Sequence, residues 1–284
     1  MIIRRVTGYM VENIKIGGKT FSIGKRTYIM GILNVTPDSF SDGGKHNLLD
    51  NAVDHALRMI DEGVDIIDVG GESTRANYTM ISDEDEMGRV IPVIEAIRRK
   101  TDIPISIDTY KSTVAQAACH AGADLINDIW GLKYDPDMAK VVRENNATVC
   151  IMHNRKAMDY TDFLSDFTKD MNASIDKAME AGIAKDKIIL DPGIGFAKTY
   201  EMNLYLLGHL NIMHDFGYPF LLGSSRKSVI GHTLDETVEN RLEGTLATSV
   251  IGVMNGCHFI RVHDVKENLR AIRMSEAILK LKNI

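Results

Sequence analysis

The sequence has few cysteines, and their spacing argues against both a disulfide framework and a metal cluster. Cys119, Cys150 and Cys257 are the only three, an odd number at wide separation, and no CxxC or paired Cys/His spacing occurs. Such cysteines are typical of reduced core residues in a cytoplasmic protein. We therefore expect a cytoplasmic location and no structural zinc site.

The chain also lacks an excess of positive charge and any long apolar run. Its 33 Lys and Arg are outnumbered by 39 Asp and Glu, giving a net charge of −6 and a pI of about 5.9. This balance argues against a nucleic-acid or membrane-surface partner but allows a local basic pocket. No apolar stretch approaches the ~20 residues that span a bilayer, and none follows Arg4 and Arg5, so we expect no signal peptide.

What the sequence does contain is a regular alternation of short apolar runs and amphipathic segments. With 284 residues, 44% of them hydrophobic, it can bury a large core in one or two domains. The runs predict eight strands, near Tyr28–Asn34, Asp65–Gly70, Pro104–Asp108, Leu125–Asp128, Thr148–His153, Lys187–Asp191, Pro219–Gly223 and Phe259–Val262. Helical patterns lie between them.

Three helix boundaries can be predicted from local signals. The apolar stripe that begins at Ala52 should end at Gly63, a residue suited to the position after a helix. Ser82 with Asp85, and Asp264 with Glu267, have the spacing of capping residues at a helix start.

Eight β–α units predict an α/β fold, a single (β/α)8 TIM barrel over residues 28–284. Residues 1–27 alternate loosely around Gly17-Gly18, which predicts a β-hairpin that caps the closed end of the barrel. An open doubly wound sheet is the alternative. The barrel is favoured because no Gly-x-Gly-x-x-Gly follows a strand and because functional-looking residues end most of the strands.

A polar loop follows the first predicted strand, from Asn34 to Gly44. It combines two carboxylates, Phe40 and several turn residues, and such loops often carry function. Alone, it would more simply be a solvated connection. The other strand ends are similar, however: Asp68 with Gly70–Arg75, Asp108-Thr109, Asn127-Asp128, Met152-His153, Asp191–Phe196, Gly223–Ser228 and Arg261–Asp264.

In a barrel these ends meet at one mouth, where buried polar residues cost folding free energy unless they are paired or bind a ligand. Taken singly, each has a simpler explanation: an Asp as a helix cap, Arg261 with Asp264 or Arg75 with Glu72 as an ion pair, His153 as a core residue. Taken together, they predict a binding site. The residues form two sets. The carboxylate, amide and lysine side chains of the first suit a flat nitrogen-rich ring (Asp108, Asn127, Asp191, Lys227). The second set suits an anion (Asn34, Arg75, Arg226, Arg261, His263).

These segments resemble the dihydropteroate synthases, the pterin-binding barrels of folate biosynthesis, from Met30 to Val265. The motifs that carry the resemblance are Leu33–Gly44, Gly70–Arg75, Ile107–Thr109, Asp191–Phe196, Ser225–Ser228 and Arg261–Val265. The resemblance implies a transferase that joins 4-aminobenzoate to 6-hydroxymethyl-7,8-dihydropterin diphosphate and releases pyrophosphate, with dihydropteroate as product.

The resemblance also implies residue roles. The pterin would be held by Asp108, Asn127, Met152, Asp191, Phe196 and Lys227; the diphosphate by Asn34, Arg75, Arg261 and His263; and the aminobenzoate by Phe40, Thr74 and Ser228. Asn34 would bind Mg²⁺. The catalytic candidates are Asp108, Lys227, Asp42 and Arg261, with two loops closing over the reaction. It further implies small-molecule substrates only and a homodimer through the late helices near Thr245–Met254 and Leu269–Leu281.

One departure from the family pattern is visible in the second loop. The family usually has Pro-Gly where this chain has Ala76-Asn77, so we expect a more mobile loop. The affinity for aminobenzoate and sulfonamide analogues is the property that this change should affect most. Two alternatives share the pterin residues: a methyltetrahydrofolate–corrinoid methyltransferase, which needs no anion cluster, and a catalytically silent pterin-binding paralogue. A sugar-phosphate barrel is a third, weaker alternative.

Overall fold

The computed structural model describes residues 11–36, 45–72 and 80–281 and shows an eight-stranded parallel sheet. The strands are β3 (Tyr28–Asn34), β4 (Ile66–Gly70), β5 (Ile105–Asp108), β6 (Leu125–Asp128), β7 (Thr148–Met152), β8 (Ile188–Asp191), β9 (Leu221–Leu222) and β10 (Phe259–Val262). They pair in the order β8-β7-β6-β5-β4-β3-β10-β9. A parallel bridge between Leu190 and Phe220 joins the two ends. The predicted (β/α)8 barrel is confirmed.

Helices follow the strands and pack around the barrel. They are α1 (Lys45–Glu62), α2 (Asp83–Arg98), α3 (Ser112–Ala121), α4 (Met138–Glu144), α5 (Phe163–Glu180), α6 (Tyr200–Gly208), α7 (Ser228–Leu234), α8 (Leu242–Met254) and α9 (Val265–Leu281). Short 3-10 turns occupy Lys185–Lys187, Leu210–Phe216 and Val238–Asn240. No helix in these described ranges has the length and apolar character needed to cross a membrane.

The predicted helix boundaries are confirmed. Gly63 directly follows α1 with φ of +98°, a conformation that other residues rarely adopt. Ser82 caps α2 by accepting a hydrogen bond from the Asp85 amide at 3.1 Å. Helix α9 begins directly after Asp264.

A two-stranded antiparallel hairpin precedes the barrel, with strands β1 (Asn13–Ile16) and β2 (Lys19–Ser22). Its apolar residues Ile14, Ile16 and Phe21 are buried in one cluster with the first residues of several barrel strands, among them Tyr28, Ile66 and Phe259. The hairpin therefore covers the amino-terminal end of the barrel. The division of the chain at residue 27 stays a prediction, because residues 1–10 lie outside the described ranges.

Strand β9 is shorter than the predicted Pro219–Gly223. Pro219 has no N–H to give to a ladder, and the Phe220 amide donates to His258 Nδ1 at 3.1 Å instead of to a strand. Only Leu221 and Leu222 keep regular pairing. The strand remains long enough to bring Gly223 and the segment after it to the carboxyl end of the barrel.

The register between strands aligns the predicted site residues. Asn34 pairs with Gly70, Gly70 with Asp108, and Asp108 with Asn127, so these positions form one level across four neighbouring strands. Met152 is paired with Asp191 on the opposite side. The carboxyl ends of the strands thus place these residues around one mouth.

Candidate active site

An arginine bridging two buried carboxylates occupies the centre of this mouth. Arg261 Nε donates to Asp68 Oδ2 at 2.6 Å, and Arg261 Nη2 donates to Asp108 Oδ2 at 2.5 Å. Asn127 Nδ2 adds a weaker hydrogen bond to Asp68 Oδ2 at 3.3 Å. Three strands besides that of Arg261 therefore contribute to one ionic group, and both carboxylates are almost completely buried.

Each of these carboxylates has one oxygen that finds no hydrogen-bond partner among the described residues. Asp68 Oδ1 and Asp108 Oδ1 are both buried and accept no hydrogen bond from the described part of the chain. An unsatisfied buried oxygen of this kind costs about 1–3 kcal/mol, and more when it is charged. Two such oxygens on neighbouring strands indicate a place where a ligand supplies the missing N–H groups.

Burial also changes the acidity of Asp108. Loss of water around the carboxyl group raises its pKa to about 7, and the neighbouring charge of Asp68 acts in the same direction. Arg261 opposes this rise. Near neutral pH, Asp108 can therefore exist in both the ionised and the protonated form, as is common at functional sites.

The segment after β8 forms the next part of the mouth. Asp191 is buried, and its Oδ1 accepts from the Gly193 amide at 2.7 Å; burial raises the pKa of Asp191. Lys227 donates to the Ile194 carbonyl and lies 4.4 Å above the ring of Phe196. Burial lowers the pKa of Lys227 to about 8, against the attraction of Asp191.

A small apolar cluster also lies at the carboxyl ends of the strands. Met152 is buried in a small cluster with Tyr110 and Ile129, against which Trp130 and Phe196 pack. Sequence analysis selected Met152 and Phe196 but not the other three. The signal that could have indicated these three residues is their position within two residues of the ends of β5 and β6.

The space beside Asn34 suits an oxygen-binding cation. A β-carbon placed on Gly70 would lie 3.8 Å from Asn34 Oδ1 and 3.8 Å from Asp108 Oδ2. Asp108 Oδ2 already accepts from Arg261 Nη2, so Asn34 Oδ1 is the oxygen of this pair that is suited to a cation. Hard cations such as Mg²⁺ prefer such oxygen ligands, so the residues present fit the predicted ion.

Comparison with known proteins agrees with this geometry. The family model "Pterin binding enzyme" matches residues 30–263. The chain belongs to the pterin-binding enzyme family. A dihydropteroate synthase of Clostridium beijerinckii is 57% identical over 268 residues, which is 94% of this chain and 100% of that protein. Within the family, the function of the chain is that of a dihydropteroate synthase, a transferase of folate biosynthesis.

Two solved structures in the family show the same fold. A dihydropteroate synthase from Clostridium difficile, determined in the presence of pteroic acid, has 53% identity and a TM-score of 0.89; the match covers 91% of this chain and 98% of that one. The Xanthomonas albilineans enzyme with 4-aminobenzoic acid has 39% identity and a TM-score of 0.90, with 95% and 98% covered.

The predicted anion-binding residues divide into two groups in this family member. His263 Nδ1 lies 2.9 Å from the Ser225 hydroxyl, and His263 belongs to the same strand end as Arg261. Arg226 instead forms a two-bond salt bridge with Asp264, at 3.0 and 2.6 Å. The simple ion pair considered for Arg261 with Asp264 is therefore wrong, because Arg226 takes that carboxylate.

Several predicted residues cannot be placed. Phe40, Asp42, Thr74 and Arg75 lie outside the described ranges, as does the Ala76-Asn77 pair. Ser228 is described: it is the first residue of α7, directly after Lys227. Asp68 was recognised as a strand-end carboxylate but assigned no role, although it proves to be a main partner of Arg261.

A buried ionic cluster ties together the two described ends of the second loop. Glu72 accepts from Tyr110 at 2.6 Å, from Lys111 at 2.8 Å and from the Ile81 amide at 3.1 Å. Lys111 also pairs with Glu86 at 2.8 Å and donates to the Ile81 carbonyl at 2.7 Å. The residues before and after the loop are thus fixed to the start of α3.

We expect Lys111→Met to destabilise the fold strongly. The substitution keeps the volume but leaves Glu72 and Glu86 buried and facing each other without a cation, which costs about 3–5 kcal/mol in comparable cases. Urea unfolding should show this loss, whereas Lys266→Met on the exposed side of α9 should change the free energy of unfolding by less than about 0.5 kcal/mol. A loss equal to that of the control would mean that the cluster adds nothing to stability.

Proposed function

We propose that the pterin ring binds between Asp108, Asn127, Asp191 and Lys227, against Met152 and Phe196. The observation that supports this most directly is the buried Oδ1 of Asp108, which has no hydrogen-bond partner within the part of the chain that the structure describes. An aminopyrimidinone edge offers adjacent N–H donors that match such acceptors, and Lys227 can donate to a ring carbonyl. Asp68 joins the site under this proposal, as the partner that fixes Arg261.

The diphosphate would lie towards Arg261 and His263, with Asn34 and Arg75 as further ligands. Arg261 uses Nε and one hydrogen of Nη2 for the two carboxylates, and no hydrogen bond to the described residues uses Nη1. An arginine has five N–H donors in a planar fork. Arg261 can therefore hold Asp68 and Asp108 and still present donors to a phosphate oxygen.

Mg²⁺ would be held by Asn34 Oδ1 together with oxygens of the diphosphate and water. Among the described residues no group of three or more His, Cys, Asp or Glu is arranged as a metal site, and Mg²⁺ usually takes only one or two protein carboxylates beside its phosphate ligands. When bound, the ion neutralises charge on the leaving pyrophosphate.

The residues favour a dissociative displacement. Loss of pyrophosphate leaves a methylene carbon conjugated with the pterin, and an ionised Asp108 near the ring would stabilise its positive charge. The aromatic amine of 4-aminobenzoate then attacks this carbon and releases a proton. Met152, Phe196 and Trp130 keep water, the competing nucleophile, away from one side; Asp42, Phe40 and Thr74 of the two loops would close the other side. Ser228 would border the aminobenzoate.

A homodimer through the late helices also remains our proposal. Five large apolar side chains on α8 and α9 are exposed: Ile251, Met254, Met274, Ile278 and Leu281. An exposed apolar surface of this kind typically marks an interface. Sedimentation equilibrium should give a dimer that Ile278→Glu converts to monomer; a wild-type monomer would exclude the homodimer.

The cytoplasm, where the three free thiols would stay reduced, is the proposed location.

A release assay tests the function. Purified protein should produce pyrophosphate only when the pterin diphosphate, 4-aminobenzoate and Mg²⁺ are all present, and excess EDTA should stop it. Equimolar dihydropteroate should form. Binding of the pterin without turnover in this assay would contradict the proposal and favour a silent pterin-binding paralogue.

We predict a narrow pH optimum for binding of free 6-hydroxymethyl-7,8-dihydropterin. The ionised form of Asp108, with its pKa near 7, binds the ring N–H groups, so affinity should fall about tenfold per pH unit below 7. The protonated form of Lys227, with its pKa near 8, donates to the ring, so affinity should fall again above 8. Calorimetry from pH 5 to 10 measures both limbs.

The variant Asp108→Asn is the matched control for the acid limb, since an amide does not titrate in this range. It should bind more weakly and show no decrease between pH 7 and 5. An acid limb that persists in this variant would assign the titration to another group.

A further inference from the structure

A second buried lysine, Lys198, is not explained by the functions described so far. Lys198 is 7% exposed, and burial lowers its pKa to about 7, against the attraction of Asp191. In the charged form its ammonium has three acceptors: His153 Nδ1 at 2.9 Å, the Gly193 carbonyl at 2.9 Å and the Phe196 carbonyl at 3.0 Å. An ammonium has three donors, so every one of them is used. Two of the three hold the segment that follows β8.

The third donor connects Lys198 to a chain of polar groups outside the pocket. Because His153 Nδ1 accepts from Lys198, its proton must be on Nε2, which faces Asp170 Oδ2 at 3.2 Å. Arg155 Nε holds the same carboxylate at 2.5 Å. Burial lowers the pKa of His153 to about 3, so the ring stays neutral and remains an acceptor at physiological pH.

The segment that Lys198 holds has an unusual backbone. Gly193, Gly195 and Ala197 have φ of +70°, +83° and +44°, and the last of these is costly for a residue with a side chain. A β-carbon on Gly193 would lie 2.0 Å from the His153 carbonyl oxygen. The segment is therefore pressed closely against the end of β7 and depends on hydrogen bonds to keep this conformation.

The same segment also contacts the proposed pterin residues. The Ile194 carbonyl accepts from Lys227, the Phe196 ring lies under the Lys227 ammonium, and the Gly193 amide donates to Asp191. Three proposed pterin contacts thus depend on the position of four residues. Lys198 fixes those four residues.

We propose that Lys198 is a positioning residue for pterin binding. It holds the Gly193–Phe196 segment in place and is itself oriented by a hydrogen-bonded chain through His153 to Asp170. The inference depends on the proposed pterin residues, because it assigns to Lys198 the placement of Lys227, Phe196 and Asp191. Lys198 itself does not contact the substrate under this proposal. Its loss should therefore affect pterin affinity and leave the 4-aminobenzoate KM almost unchanged.

The test compares Lys198→Met with Lys177→Met. Lys177 also donates to a backbone carbonyl, that of Leu132 at 3.3 Å, but it does so from the exposed side of α5. In calorimetry with free 6-hydroxymethyl-7,8-dihydropterin, Lys198→Met should raise the Kd at least tenfold at full stoichiometry, with the aminobenzoate KM within twofold of wild type. The control should leave both within twofold.

Several outcomes would overturn the proposal. An unchanged Kd with a reduced number of binding sites would mean that Lys198 supports folding only. Equal losses for pterin and aminobenzoate would mean a general disturbance of the mouth. If wild type itself fails to bind the pterin, the proposed function fails and this inference fails with it; wild-type binding that Lys198→Met preserves refutes the positioning role alone.

A second variant, Asp170→Ala, tests the positioning role if Lys198→Met does not fold. Asp170→Ala removes the acceptor of His153 Nε2 on the partly exposed side of α5, away from every proposed pterin contact. It should raise the pterin Kd about threefold to tenfold, because His153 loses the contact that orients its ring. Normal pterin affinity in this variant would refute the positioning chain.

Discussion

We expect Asp191→Asn to raise the Kd for free 6-hydroxymethyl-7,8-dihydropterin at least about 100-fold, or roughly 2.7 kcal/mol. An ionised Asp191 can accept two parallel N–H bonds from the pterin edge, and hydrogen bonds to a charged group contribute about 1.5–3 kcal/mol each. Asparagine has the same shape but replaces one acceptor with a donor. That donor would face a donor of the ligand.

The same substitution should not weaken the fold. The Asp191 carboxyl group is buried and its pKa is raised by loss of water, so the charge is a cost to the unliganded protein. In the variant, the Gly193 amide can still donate to the side-chain oxygen of the introduced asparagine. Thermal unfolding without ligand should therefore show a Tm equal to or above that of wild type, while calorimetry shows the loss of binding.

Asp186→Asn is the matched control, since Asp186 is exposed near the other end of the same strand. It should leave both pterin affinity and Tm unchanged. Undiminished affinity in Asp191→Asn would remove Asp191 from the pterin site and, with it, the main argument for a carboxylate on this side of the ring.

The sequence predicts the scaffold well because the scaffold depends on local patterns. Apolar runs of about four to seven residues predict the strands, and Gly63 and Ser82 mark helix boundaries through backbone conformation and side-chain capping. Strand ends in a parallel barrel converge by topology. The convergence of Asp108, Asn127, Asp191 and Lys227 could therefore be predicted from their positions alone.

The sequence does not predict which oppositely charged side chains form ion pairs. Arg261 could have paired with nearby Asp264, but it pairs with Asp68 and Asp108, 193 and 153 positions away. The pairing depends on which carboxylates are buried when the barrel closes. The same burial produces the raised pKa of Asp108 and the unpartnered oxygen beside it, among the residues that the structure describes. Lys198 was missed for a related reason, because its partners are mostly backbone carbonyls.

We expect Arg261→Met to lower kcat/KM for the pterin diphosphate by about 10³-fold, and the affinity for free pterin by only about tenfold. The large loss reflects charge-assisted hydrogen bonds to the diphosphate, about 1.5–3 kcal/mol each. The smaller loss has another cause: Arg261 lowers the pKa of Asp108, so without it more Asp108 is protonated at neutral pH and cannot accept from the pterin. Arg270→Met, exposed on α9, should change neither value.

A double variant separates the two roles of Arg261. In Arg261→Met, Asp68 and Asp108 are left as two buried carboxylates without a cation, which alone could disturb the mouth. Adding Asp68→Asn removes one of these charges, so Tm and free-pterin affinity should recover towards wild type. If Arg261 binds the diphosphate, the loss in kcat/KM stays near 10³-fold in the double variant, about the worth of two charge-assisted hydrogen bonds. If kcat/KM recovers together with Tm, Arg261 serves only to neutralise the carboxylates, and the diphosphate must be bound by other residues.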